Sequence, residues 1–288
     1  MSFTGTALSW ERVDDALEVR LHREPCNEIG TTSLAELERL AACVRSGAEG
    51  ARSLILYSSM RGGFSAGADL RELHEGLVAR RERWASRMPG PVRRLGSRAG
   101  RLANPLIRRE VRGFLERIHR VFDTLDSAPI PTIGVVHGVC FGGGFELALT
   151  TDMLIAEKSA RFCFPELRLG LVPGFGGIPR LERDVGSAVV RDLLLTGRSL
   201  SARRAHEVGL VSQLVPRERG LLAARSVARQ AVKFDRHTVT AAKAFAKRIP
   251  EARLQEERDT FCRLITQPAV SRSLARFVDD LGPTPWLP

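Results

Sequence analysis

The run Cys140-Phe141-Gly142-Gly143-Gly144-Phe145-Glu146-Leu147-Ala148 sets bare backbone N–H groups beside a carboxylate where a helix is expected to open. Glycine lets an oxygen come close to those amides, and the helix N-terminus adds about half a positive charge. Such a group can hold negative charge and move a proton. Two further segments give it meaning: Phe64-Ser65-Ala66-Gly67-Ala68-Asp69-Leu70 upstream, and Phe164-Pro165-Glu166-Leu167-Arg168-Leu169-Gly170-Leu171-Val172-Pro173-Gly174 downstream. The Ala66-Gly67-Ala68 turn follows an expected strand over residues 53–58 and precedes a helix, so Ala68 can offer a second N–H beside that of Gly143. Two donors converging on one carbonyl oxygen make an oxyanion hole. Taken singly, each glycine motif also serves as a tight turn or a close strand–helix contact.

The acids are Glu146 and Glu166. Glu146 falls in the first turn of an apolar helix, and Glu166 follows Pro165 at the end of a short apolar strand, residues 161–164. A glutamate at either place can simply cap a helix or face solvent. Two carboxylates facing one dry pocket, however, raise the pKa of at least one of them, so that one holds a proton while the other accepts one.

In this order the three segments resemble the enoyl-CoA hydratase/isomerase (crotonase) superfamily. Members that hydrate an α,β-unsaturated acyl-CoA carry glutamates at both motif positions, whereas double-bond isomerases generally keep the one matching Glu166; this chain has both. The resemblance implies that Ala68 and Gly143 polarise a thioester carbonyl, Glu146 activates water for attack at Cβ, and Glu166 protonates Cα. It implies substrate contacts at Ala66, Asp69, Arg71, Gly142, Phe164 and Gly174, with Arg71 near the CoA phosphates and the N–H of Gly174 fixing the water and Glu166. Phe164 and the Gly176-Gly177-Ile178-Pro179-Arg180-Leu181 segment depart from the usual hydratase residues toward a more apolar acyl pocket. Related activities stay open: a dehydratase or thioesterase acting on a carrier-bound acyl chain, or an isomerase. No cofactor is expected beyond the coenzyme A of the substrate.

Short apolar strands at residues 53–57, 132–136 and 153–156 alternate with helices at 33–45, 109–125 and 144–150, the signature of an α/β fold with parallel strands. The resemblance makes this a crotonase-like repeated ββα superhelix, with a core domain over residues 1–196 and a C-terminal helical region over 197–288 that trimerises, alone or as a dimer of trimers. From about Ser187 onward the pattern reads as helices only. A basic insertion at about 75–110 contains Arg80, Arg93, Arg94 and Arg98, with the basic stretch running on to Arg112, and is broken by Pro89, Pro91, Gly96, Gly100 and Pro105. This punctuation suggests a loop with short helical turns, acting either as a lid or carrier-docking surface or as a solvated excursion.

The net charge of +11 suits a polyanionic ligand, which fits CoA phosphates or an acidic acyl carrier protein. It also suits nonspecific RNA, but Trp84 is the lone aromatic in the insertion that could stack on bases, so no specific nucleic-acid partner is expected. Five cysteines without CxxC spacing and six scattered histidines argue for reduced thiols and against a metal site. No run of about twenty apolar residues occurs, so a soluble, cytoplasmic protein without a membrane partner is expected.

Overall fold

The computed structural model describes residues 2–86 and 104–279. An antiparallel meander of β1 (Ser2–Thr4), β2 (Leu8–Val13) and β3 (Ala16–Leu21) is followed by α1 (Thr31–Arg45). Three turns of a repeated plan come next. The first comprises β4 (Ser53–Ser58), β5 (Gly63–Ser65) and the long helices α2 (Leu70–Ser86) and α3 (Asn104–Asp126). The second is β6 (Thr132–Val136), β7 (Val139–Phe141) and α4 (Gly143–Ala148). The third is β8 (Met153–Glu157), β9 (Arg161–Cys163), a 3₁₀ turn at Glu166–Leu169 and α5 (Gly177–Val185).

In each turn the first strand enters a seven-stranded sheet ordered β1-β2-β3-β4-β6-β8 and closed at its edge by β11, while the second enters a four-stranded sheet of β5, β7, β9 and β10. This is the expected ββα superhelix. Every residue of β6 is buried, as a parallel strand covered on both faces requires. One face of the large sheet joins the main core. The other face, through Ile55, Ile133, Val135 and Ile155, packs on Ala224 and Ala228 of a later helix.

After α5 come α6 (Ser187–Thr196), β10 (Leu200–Ser201), α7 (Ala202–Glu207), β11 (Gln213–Val215), α8 (Gly220–Ala231), α9 (Arg236–Ala246), α10 (Glu251–Leu264) and α11 (Pro268–Asp279). The stretch from Ser187 is therefore not helical throughout. β11 pairs in parallel with β8 and β10 pairs with β9; three-residue and two-residue strands are too short to show a period of two.

The flanks of the basic insertion also differ from the expected loop. Residues up to Ser86 continue α2, and α3 begins at Asn104, so two long arms replace short turns; Arg93, Arg94 and Arg98 lie outside the described residues. The apolar stripe of α3, through Ile107, Val111, Leu115, Ile118 and Phe122, is buried and carries the helix through its arginines. Arg112 pairs with Asp259 at 2.7 Å, Arg108 donates to the Thr266 hydroxyl, and Arg81 donates to the Ser271 hydroxyl. These contacts tie the arms to α10 and α11.

Candidate active site

The second sheet delivers the two amide donors. β5 ends at Ser65, and the chain turns at Gly67, whose φ of +101° favours glycine; a Cβ there would stand 2.7 Å from the Phe141 carbonyl oxygen and 3.1 Å from the Gly143 nitrogen. The neighbouring strand β7 ends at Phe141, and the chain turns at Gly142 (φ +47°) into α4. A Cβ on Gly142 would meet Glu166 Oε1 at 2.6 Å, and one on Gly143 would stand 3.3 Å from the Ala68 nitrogen. Adjacent strands thus bring the Ala68 and Gly143 amides side by side. No hydrogen bond among the described residues uses either N–H as donor, so both can serve an incoming oxygen.

Glu146 is one turn into α4 and 2% exposed. Its Oε1 accepts the N–H groups of Phe175 and Gly177, each at 2.8 Å. Burial pushes its pKa up from 4.5 to about 7; those two amides, the charge of Arg180 and the Gly174 amide pull the other way. Glu166 stands on the 3₁₀ turn after β9, and its Oε2 is buried without a hydrogen-bond partner among the described residues. Burial and the nearby Glu146 carboxylate push its pKa well above 4.5. One acid is therefore poised to ionise near neutrality while the other holds its proton, the division of labour that acid–base chemistry on a single substrate needs.

The loop facing Glu146 is held at every peptide group. Glu257 of α10, 6% exposed, accepts from Gly176 N at 2.7 Å through Oε1 and from Ile178 N at 2.8 Å through Oε2. Glu146 and Glu257 thus take alternate amides of residues 175–178. Arg180, fully buried, donates to the carbonyls of Phe175 and Gly176 and pairs with Asp126 (2.8 Å) and Asp123 (2.6 Å). His119 of α3, kept neutral by burial that lowers its pKa to about 4, bonds the Gly174 carbonyl at 2.9 Å.

A cavity of about 400 Å³ lies between α2 and α3 and is closed by α10, with Ala68, Leu73, Val111, Phe114, Phe175 and Phe261 among its walls. Arg80 pairs with Glu110 at its edge. The cavity reaches the Ala68 end of the amide pair; Phe175, which lines it, would meet a Cβ on Gly143 at 2.6 Å, and neither glutamate is in the lining. The lining is mostly apolar, as in many small-molecule sites.

Among the other residues singled out in the sequence, Asp69 caps α2 through Glu72 N and pairs with Arg23 at 2.7 Å, and it lines the cavity. Arg71 is exposed and donates to the Val278 carbonyl. Ala66 and Gly142 donate their N–H groups to the carbonyls of Cys26 and Cys163, which fixes the two turns. Phe164 is fully buried with its ring stacked on Phe145 at 4.8 Å, behind the glutamates and outside the cavity lining. The loop amides at Phe175 and Gly177 turn to Glu146, and no hydrogen bond among the described residues links Gly174 to Glu166. Glu257, Arg180 and His119 had no assigned role in the sequence. The signal for Glu257 is its place on the buried stripe Leu254, Glu257, Phe261 of α10, where an acid needs donors. No group of three His, Cys, Asp or Glu among the described residues is placed to hold a metal ion, and no described helix is long and apolar enough to cross a membrane.

A protein of Mycobacterium bovis named "Probable enoyl-CoA hydratase echA8" is 39% identical over 163 residues, covering 55% of this chain and 63% of that protein. The "Enoyl-CoA isomerase/hydratase" of Zymoseptoria tritici is 33% identical over 205 residues, 70% of this chain and 57% of that protein. The chain thus spans less than two thirds of these relatives' length. The crystal structure of enoyl-CoA hydratase from Bacillus halodurans superposes with a TM-score of 0.75 at 22% identity, over 94% of this chain and 99% of that one. That of Bacillus anthracis gives 0.68 at 26%, over 95% and 96%. The profile of one family matches residues 104–285, a stretch that carries both glutamates, Gly143 and Glu257, and on that match the chain belongs to the enoyl-CoA hydratase/isomerase family.

Proposed function

We propose that this protein adds water across the Cα=Cβ bond of a trans-2-enoyl-CoA thioester, giving the 3-hydroxyacyl-CoA, or runs the same reaction in reverse, with no cofactor beyond the coenzyme A of the substrate. The thioester oxygen accepts the N–H groups of Ala68 and Gly143, which draws electron density from Cβ and stabilises the enolate-like charge as it forms. Glu146, ionised, takes a proton from water as the water oxygen bonds to Cβ. Glu166, protonated, gives its proton to Cα. Each turnover leaves Glu146 protonated and Glu166 ionised, and one proton passes back between them through solvent.

The observation that supports this reading best is the unlike state of the two buried acids. Glu146 accepts two backbone amides, which favours its ionised form, and Glu166 Oε2 has no partner among the described residues, which favours the acid. The basic surface supports a polyanionic CoA handle over a neutral ester. Exposed Leu195, Leu222, Phe234 and Phe245 on the C-terminal side support self-association into trimers.

The test is a panel of trans-2-enoyl-CoA thioesters of rising chain length and their carrier-protein counterparts, followed by loss of the conjugated-thioester absorbance and by identification of the 3-hydroxyacyl product. Double-bond migration from a 3-enoyl thioester with no hydration would replace this reading with that of an isomerase. Turnover of the carrier-bound substrates alone would replace the CoA assignment.

A further inference from the structure

We propose that Glu257 is a positioning residue of the reaction: reaching in from α10, it grips the loop opposite Glu146 and so fixes the place and direction of the general base. The inference rests on the hydration reading above and extends it to a residue that touches no substrate atom.

The geometry is an alternation. Along residues 175–178 the first and third amides point to Glu146, and the second and fourth point to Glu257. An extended or turning backbone sends successive N–H groups to opposite sides, so a carboxylate on each side makes a two-faced clamp. Neither side can shift without disturbing the other: if Gly176 and Ile178 lose their acceptor, the loop can shift about its pinned carbonyls and carry the Phe175 and Gly177 amides with it. Glu146 Oε1 then loses its fixed donors, and the carboxylate loses its bearing. The carbonyl side of the same peptides is pinned by Arg180 and His119, so Glu257 holds the remaining freedom of the loop.

Stability alone does not explain an acid at this position. Glu257 is 6% exposed on the stripe through which α10 packs, between Leu254 and Phe261. Burial and the Glu146 charge both raise its pKa, so the fold bears an electrostatic cost for keeping it there. A neutral side chain would avoid that electrostatic cost. It would not offer two oxygens in the plane needed to accept two amides spaced two residues apart.

The test is a mutant cycle on the full chain between Glu257→Gln and Glu146→Gln, with kcat and KM read separately. Glutamine keeps the size and one acceptor and turns an N–H₂ donor toward the second amide. In the otherwise native protein Glu257→Gln is expected to lower kcat by about 10- to 100-fold, as a misplaced catalytic group does, with KM changed by no more than about twofold. In the Glu146→Gln background the same change is expected to lower kcat by less than about twofold, since the group it orients has gone.

An equal loss in both backgrounds overturns the proposal, as does a rise in KM with kcat kept. Glu257→Asp, which keeps the charge and both oxygens, supplies the same cycle where the glutamine variant fails to fold, and equal losses there overturn the proposal equally. Failure of the hydration reading shows differently: the native protein would then form no 3-hydroxyacyl product from any trans-2-enoyl thioester.

Discussion

At pH 8 the native protein carries Glu146 as a carboxylate in an interior that prefers it protonated, so replacing it with glutamine should sacrifice the reaction and strengthen the fold together. The unfolded chain titrates this group near 4.5 and the folded protein near 7. Between those values the native state holds a proton that the unfolded state has released, so stability falls as pH rises through the window and the full penalty is present above about 7. At about 1.4 kcal/mol per tenfold change, the penalty is about 3 kcal/mol. Glutamine can still accept the Phe175 and Gly177 amides through its carbonyl oxygen and has no charge to desolvate.

Glu146→Gln should therefore lower hydration by about 10²- to 10⁴-fold while raising Tm by about 6 °C at pH 8, using about 2 °C per kcal/mol for a chain of this size. At pH 4 both proteins are neutral at this position and their Tm values should coincide. Thermal unfolding followed by circular dichroism at pH 4, 6 and 8, beside initial rates on an enoyl-CoA at pH 8, reads both effects. A variant that is no more stable at pH 8 than the native protein would refute the raised affinity of Glu146 for its proton.

Gly143→Ala should drive a methyl group to 2.6 Å from Phe175 Cε2, displacing the ring and the amide together and lowering kcat/KM by about 10²-fold; adding Phe175→Ala should recover part of the loss, and a double variant no faster than the single would show that the ring is not what clashes. Arg180→Met should destabilise the protein by about 3 kcal/mol, the low end for breaking a buried pair, because Asp126 keeps Lys247 at 2.8 Å and Arg183 at 3.1 Å; a Tm lowered by less than about 2 °C would show that the remaining cations suffice.

The parts of the site legible in the sequence are those whose chemistry is local. A glycine before an amide donor, a glutamate one turn into a helix and an acid after a proline are each written within a few residues, and strands β4, β6 and β8 announce themselves as continuous apolar runs. The helical arms are obscured by arginines: α3 keeps its apolar stripe buried, while charged residues of α2 and α3 reach Asp259, Thr266 and Ser271, contacts that composition cannot display. Phe164 illustrates the opposite difficulty. A large apolar residue two positions before a glutamate suits a substrate pocket or a core equally well, and only its stacking on Phe145 separates the two. Glu257 escaped because its partners are 81 and 79 residues away. Its one local trace is an acid on an apolar stripe, and that trace names no partner.

The same separation orders events in time. Chains emerge from the ribosome at roughly 5–20 residues per second, and domains begin to fold from the N-terminal side as they appear. Strands β1 to β9 and α4 can assemble from the first part of the chain, since they pair among themselves and β10 and β11 add only at the sheet edges. Gly176 must then wait for Glu257, which follows it by 81 residues and so by about 4–16 s at that pace. During the interval the amides of the loop can be served by water, and the buried face of α10 has not yet arrived to exclude it. Catalytic competence is thus among the last properties the nascent polypeptide acquires, and a ribosome that stalls before α10 releases a chain holding both glutamates and both glycine turns in a half-built pocket.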